Sequence, residues 1–403
     1  MKAINLIATI FILLIAFSLL AQCPDFSAAG LYATDYRMID EIPTEDETIT
    51  DSRCYFPSNG SGIDPDAVPC PIIVFGHGFM TSVDNYFSYA EHYASWGYVC
   101  IVPTYSNPFL FSNHDYRARL LITSAHYIMA LNSESGDIFQ DKLDIEKLAL
   151  VGHSMGGSIS LLAGDMYVND LGETFHLDDT LCCIIAFGSP QSSPETEPSN
   201  ITTPYMFLSA TEDNIAPWEE VREDLWIGSS APGAFAVIDG GNHTFFTDSY
   251  GHYISDGTAT ITREEQLAIA RKHSTAFLQM YIRADTSECV EDFIYGDSLL
   301  EASWIDSSEI RYYSLSIDED ETLLRQLDVD IFPNPFDSKV FIQTKDIDKA
   351  DIEVFDISGK SIFKSSFKNC FEWKPKEKIP PGSYIIIVSG GNLRSKKVAN
   401  YLY

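Results

Sequence analysis

The stretch "LALVGHSMGGSISLLAG", residues 148–164, changes character in its middle. An apolar run suited to a strand gives way to a corner of small residues, then to an apolar run suited to a helix. At the corner one hydroxyl, Ser154, stands between Gly152 and Gly156. Gly-His-Ser-Met-Gly has the G-x-S-x-G spacing that holds a serine on a sharp strand-to-helix turn. Glycine at both flanking positions lets the two backbones approach closely. The helix N-terminus behind the hydroxyl favours developing negative charge.

The same alternation extends in both directions. Apolar runs bounded by turn residues predict strands over 72–75, 98–102, 148–151, 181–187, 205–209 and 234–238. Amphipathic segments at 83–97, 115–134, 155–168 and 262–285 predict helices between and after them, the last opened by a capping box of Thr262 and Glu265. Strands that are apolar throughout, alternating with helices, predict an α/β fold: a mainly parallel sheet covered on both faces.

A serine hydroxyl needs a general base, itself oriented by a carboxylate, before it can attack a carbonyl. Where a G-x-S-x-G elbow carries the nucleophile, the chain order is serine, acid, histidine, each just beyond a strand. Asp213 in "FLSATEDNIAP" and His243 in "VIDGGNHTFF" meet that order. Glu212, Asp178 and Asp179 are the competing acids. Glu212 should point away from Asp213, and the other two precede a strand. Of the other histidines, His126 and His273 fall within helices, while His77 and His153 are placed as neighbours of the site. Acyl transfer also needs two N–H donors for the tetrahedral oxyanion. Met155, following the serine, supplies one; Phe79 in "VFGHGFMTS" supplies the other, with Gly76 and Gly78 letting that loop curl inward. Phe79, His153 and Met155 are also expected to bind substrate, the alternative for Phe79 being that its ring simply packs the core. This chemistry requires neither cofactor nor metal, and the chain has no CxxC pair with histidine spacing for a structural zinc.

Bulk properties narrow the partners. The 403 residues carry a net charge of −32, which argues against nucleic acid or an anionic membrane surface. Residues 327–403 contain 12 Lys+Arg against 10 Asp+Glu, leaving 14 against 48 for the rest, so two domains are expected. The opening "MKAINLIATIFILLIAFSLLAQC" reads as a secretory signal peptide over 1–22, an uncleaved anchor being the alternative. Gln22 before Cys23 does not fit a lipoprotein box. Eight cysteines in an exported chain permit disulfides. Cys54 and Cys70, flanking a polar turn between two strand-like runs, are the expected pair. Cys100, Cys182 and Cys183 lie in apolar runs and read as buried thiols. The expected organisation is a catalytic domain over 23–284, an acidic connector over 285–326 and a small all-β sandwich over 327–403.

By "GHGF", "ASWGYVCIVPTY", "GHSMGG", "TEDNIAP" and "GGNH", in that order, the first domain resembles the α/β-hydrolase superfamily. It looks most like the secreted branch of dienelactone-hydrolase-like esterases, cutinase-like polyester hydrolases and chlorophyllase-like enzymes. That resemblance implies a serine esterase acting on small or polymeric carboxylic esters. The aromatic clamp of the polyester hydrolases includes a Trp that "FGSPQSSPETEPSN" lacks. By "FPNPF", "IEVFDISGK", "PPGSYIIIV" and a basic "RSKK" end, the last domain resembles the C-terminal sorting domain of the type IX secretion system of Bacteroidota. This implies export through the periplasm to the cell surface or medium, with that machinery as partner. A substrate-binding sandwich is the alternative. The expected protein is a monomeric secreted serine esterase. A lipase, peptidase or acyltransferase would use the same three residues, and a non-catalytic surface protein would keep the fold as a binding platform.

Overall fold

The computed structural model describes residues 23–401 except 45–47, 106–112, 165–166, 169–173, 176, 178–179, 194, 250–254, 301, 312–324, 327–328, 335, 337, 345–348, 356–360, 376–381 and 391–392. The expected signal peptide, 1–22, lies outside the described residues. The chain divides into two compact units, 1–312 and 313–403.

In the first unit the main elements in chain order are β1 (Thr34–Pro43), β2 (Thr48–Pro57), β3 (Cys70–Gly76), α1 (Phe87–Ser95), β4 (Val99–Val102), α2 (His114–Leu131), β5 (Leu143–His153), α3 (Met155–Ala163), β6 (Leu181–Phe187), β7 (Tyr205–Ala210), β8 (Gly233–Ile238), α4 (Arg263–Tyr281), α5 (Glu288–Tyr295) and β9 (Ile305–Arg311). These nine strands form one sheet in the order β1-β2-β4-β3-β5-β6-β7-β8-β9, and the short strands Tyr167–Val168 and Thr174–Phe175 pair apart from it. From β4 to β8 every neighbour pairs in parallel; β1, β2 and β9 run antiparallel to their neighbours.

The six expected strands are these six parallel ones, and burial on both faces explains their apolar runs. Along β3, Ile72 and Val74 enter one core while Ile73 and Phe75 enter the other. The first core is completed by Leu121 and Ile128 of α2 and Ile159 of α3, the second by Tyr89 and Tyr93 of α1, Phe277 of α4 and Ile294 of α5. The Thr262–Glu265 capping box closes at the start of α4: Glu265 N donates to Thr262 Oγ1 at 3.2 Å and Thr262 N to Glu265 Oε2 at 2.8 Å.

One expectation is corrected. Cys54 and Cys70 are both buried free thiols, and the disulfide joins Cys23 to Cys289. Cys54 lies on β2 and Cys70 on β3, and β4 is inserted between those strands. Two strand spacings separate the sulfurs' strands by about 9.5 Å, beyond disulfide reach. Residues 285–311, the first part of the expected connector, group with the first unit. Val290, Ile294 and Tyr295 bury one face of α5, and β9 pairs with β8 from Ile305↔Ile238 to Arg311↔Gly233. Trp226 Nε1 donates to Glu309 at 2.9 Å, and the Arg311 guanidinium sits 3.3 Å from the Trp226 ring centroid, fastening that edge.

The second unit is all-β. A five-stranded sheet runs Arg325–Gln326, Leu393–Tyr401, Gly382–Gly390, Ala350–Phe355, Ser361–Phe367, and a three-stranded sheet Val329–Phe332, Val340–Thr344, Cys370–Trp373. Ile352, Val354, Ile386 and Val388 of the larger sheet share one core with Val340, Ile342 and Trp373 of the smaller. This is the small sandwich expected.

Candidate functional site

Ser154 caps α3 with φ +56° and ψ −128°, a backbone region that costs a non-glycine residue on the order of 1–3 kcal/mol. The strain is held from both sides. Ser154 N donates to Phe187 O at the end of β6 (2.9 Å), and Ser154 O accepts from Gly157 N (3.0 Å) and Ser158 N (3.1 Å) as α3 begins. A Cβ on Gly156 would lie 1.9 Å from Gly76 O, so the first turn of α3 rests directly on the end of β3.

Asp213 and His243 follow β7 and β8, neighbouring strands in the sheet, and their side chains meet. His243 Nδ1 and Asp213 Oδ2 are 2.8 Å apart, with both side chains buried. Asp213 Oδ1 accepts from Ile215 N (2.9 Å) and Ala216 N (2.7 Å), so the loop's own backbone aims the other oxygen at the imidazole. A carboxylate acceptor at Nδ1 places that nitrogen's proton there and leaves Nε2 as the basic atom. The His243 ring lies 4.5 Å, centroid to centroid, from His153, the residue before Ser154. Serine, histidine and aspartate therefore occupy one edge of the sheet.

Three supporting residues escaped the sequence reading. Gly188 follows β6 with φ +46°, and a Cβ there would lie 2.8 Å from Asp213 Oδ2 and 3.3 Å from His243 Nδ1. Only a residue without a side chain leaves room for the pair. Its position one residue beyond a predicted strand was the available signal. Asp256 is buried and braces the histidine turn: Oδ2 accepts from Thr244 N (2.9 Å) and Thr244 Oγ1 (2.6 Å), and Oδ1 from His243 N (3.4 Å). Tyr86 is wholly buried, and its hydroxyl accepts from Gly78 N at 3.0 Å. Neither Asp256 nor Tyr86 carried a local signal.

The other expected site residues are placed as follows. Phe79 is half-buried and packs against the first core. Met155 is the first residue of α3, so its N–H has no acceptor within the helix. Its side chain is buried, and Arg117 Nη1 donates to its sulfur at 3.2 Å. His153 has no exposed surface, and its Nδ1 is hydrogen-bonded to the Tyr86 hydroxyl at 3.0 Å. Burial first, and the adjacent His243 second, hold its pKa well below the ordinary value, so the ring is neutral. His77 is buried too and its pKa falls to about 4; it stacks on Tyr105 with centroids 3.9 Å apart. Among the described residues no cluster of His, Cys, Asp or Glu could hold a metal ion.

Residues 121–268 match the model of the Alpha/beta hydrolase family, a segment running from within α2 into α4 and containing Ser154, Asp213 and His243. Residues 330–399 match the model of the secretion system C-terminal sorting domain. No curated protein is significantly similar to the chain. The first unit is thus an α/β-hydrolase domain and the last a sorting domain that addresses the protein to the cell surface or beyond. The protein is a secreted hydrolase.

Proposed function

We propose that the protein is a serine hydrolase of carboxylic esters. The observation that carries this reading is the buried Asp213–His243 pair at 2.8 Å, at the same sheet edge as a serine on a strained elbow. In this reading His243 Nε2 takes the Ser154 proton as the hydroxyl attacks the ester carbonyl. Asp213 holds the tautomer and stabilises the imidazolium that forms. The Phe79 and Met155 amides bind the oxyanion, and the alcohol leaves with the proton from His243. Water, deprotonated by the same imidazole, then releases the acyl group.

The substrate class draws on two supports. The loop between β6 and β7 contains, among its described residues, a single short turn, Pro198–Asn200, and no helical cap. The quoted motifs resemble those of the dienelactone-hydrolase-like and cutinase-like esterases. Both favour a site that accepts bulky acyl or alcohol groups. A panel of p-nitrophenyl esters from acetyl to long acyl, with a polyester film beside it, sets the range. Ser154→Ala is expected to abolish turnover and fluorophosphonate labelling while leaving the fold intact. Undiminished ester cleavage by that variant rules the assignment out.

A further inference from the structure

We propose that the Tyr86 hydroxyl, acting through His153, is the positioning group that keeps the oxyanion loop and the His243 imidazole in register. The inference rests on the Ser154–Asp213–His243 reading and adds to it a residue that touches no substrate.

The N–H of Phe79 belongs to the peptide plane whose carbonyl is that of Gly78. His77 Nδ1 donates to that carbonyl at 2.9 Å, which turns the Phe79 N–H to the opposite side of the plane. The preceding N–H, that of Gly78, donates to Tyr86 Oη at 3.0 Å. Gly78 is thereby clamped at its nitrogen by Tyr86 and at its oxygen by His77. The Tyr86 hydroxyl is also hydrogen-bonded to His153 Nδ1 at 3.0 Å. A Cβ built on Gly78 would stand 2.8 Å from Tyr86 Oη and 3.4 Å from His153 Nδ1, so the three groups converge at one point of the loop. The His153 ring in turn lies against His243 at 4.5 Å and against Phe246 at 5.7 Å. One hydroxyl thus connects the proposed oxyanion donor to the ring that backs the proposed base.

The turn carrying Tyr86, Val83–Tyr86, also reaches the segment that follows His243. Asp248 N donates to Asn85 O at 2.8 Å, and Ser88 N donates to Asp248 Oδ2 at 2.9 Å. The oxyanion loop and the histidine segment are therefore both fastened to the start of α1. Tyr86 itself is immobilised there: its ring is fully buried and packs on Phe75 at 5.2 Å. The two halves of the site come from distant strands, and a sub-ångström slip between them degrades alignment with the reacting carbonyl.

The test is Tyr86→Phe in the full chain, with the burst rate of a p-nitrophenyl ester and the rate of fluorophosphonate labelling as readouts. The expected result is a fall in kcat of about 10- to 100-fold with KM within about three-fold of wild type, and a parallel fall in labelling rate. Tyr93→Phe is the control. It removes another buried hydroxyl from α1, one that donates to Ser274 Oγ at 2.9 Å, and is expected to lower Tm comparably without changing kcat. His153→Leu should reproduce the kcat loss, and the double variant Tyr86→Phe/His153→Leu should lose little more than either alone. Wild-type kcat in Tyr86→Phe, a loss matched by Tyr93→Phe, or additive losses in the double variant each overturn the inference while the catalytic reading stands. A wild-type protein that neither turns over esters nor labels at Ser154 overturns both.

Discussion

Gly188→Ala offers a severe test of the site because its effect can be worked from distances. The new methyl would start 2.8 Å from Asp213 Oδ2, where ordinary contact begins at 3.4 Å, so the carboxylate must retreat by 0.6 Å. It cannot do so freely. Asp213 Oδ1 is held by Ile215 N and Ala216 N at 2.9 and 2.7 Å, and the methyl also meets His243 Nδ1 at 3.3 Å. The φ of +46° adds a left-handed penalty of about 1–2 kcal/mol for any residue with a Cβ. Two separable outcomes are expected: a stability loss of about 1–2 kcal/mol in urea unfolding, and a fall in kcat of about 10- to 100-fold from displacement of the Asp213–His243 pair. Both would be measured on one preparation, with kcat taken from p-nitrophenyl ester hydrolysis below the unfolding range. If Gly188→Ala loses the stability yet keeps wild-type kcat, the buried pair is not setting the rate and the mechanism is wrong.

Other consequences follow from burial and covalent linkage. Cys23→Ser/Cys289→Ser opens a link spanning 266 residues, for which chain entropy predicts a loss of up to ~5 kcal/mol; Tm should fall markedly while kcat at low temperature is unchanged. Of the unpaired cysteines only Cys370 is exposed, and burial pushes the Cys70 thiol up to about 12. Thiol titration of the full chain without reductant should therefore find one fast-reacting group when native and six when unfolded; four would reveal a further disulfide. His77, His92 and His273 are buried with pKa values lowered to about 4, so between pH 6.5 and 4 the unfolded chain binds protons that the folded chain refuses. Stability is full above pH 6.5 and falls as pH drops through that window, by up to about 3 kcal/mol per histidine. A urea midpoint that is flat from pH 7 to 4.5 would contradict their burial as neutral rings.

Period and order along the chain determined a good part of this protein. A strand buried on both faces must be apolar at every position, so the six parallel strands were legible as runs, and the glycines around Ser154 marked the turn between β5 and α3. Chain order alone pointed to Asp213 and His243, because each follows its strand by a short loop. The tertiary structure decided whatever depends on which strands become neighbours. Inserting β4 between β2 and β3 parts Cys54 from Cys70, and folding α5 onto the sheet brings Cys289 to Cys23. Strand β9 lies at the sheet's edge and is only partly buried, so it lacks the apolar run that announces an interior strand. Gly188, Tyr86 and Asp256 act through contacts with residues 25, 8 and 12 or more positions away or further. Local propensity carries no record of such contacts, since their energy exists only once the chain has closed those loops in space.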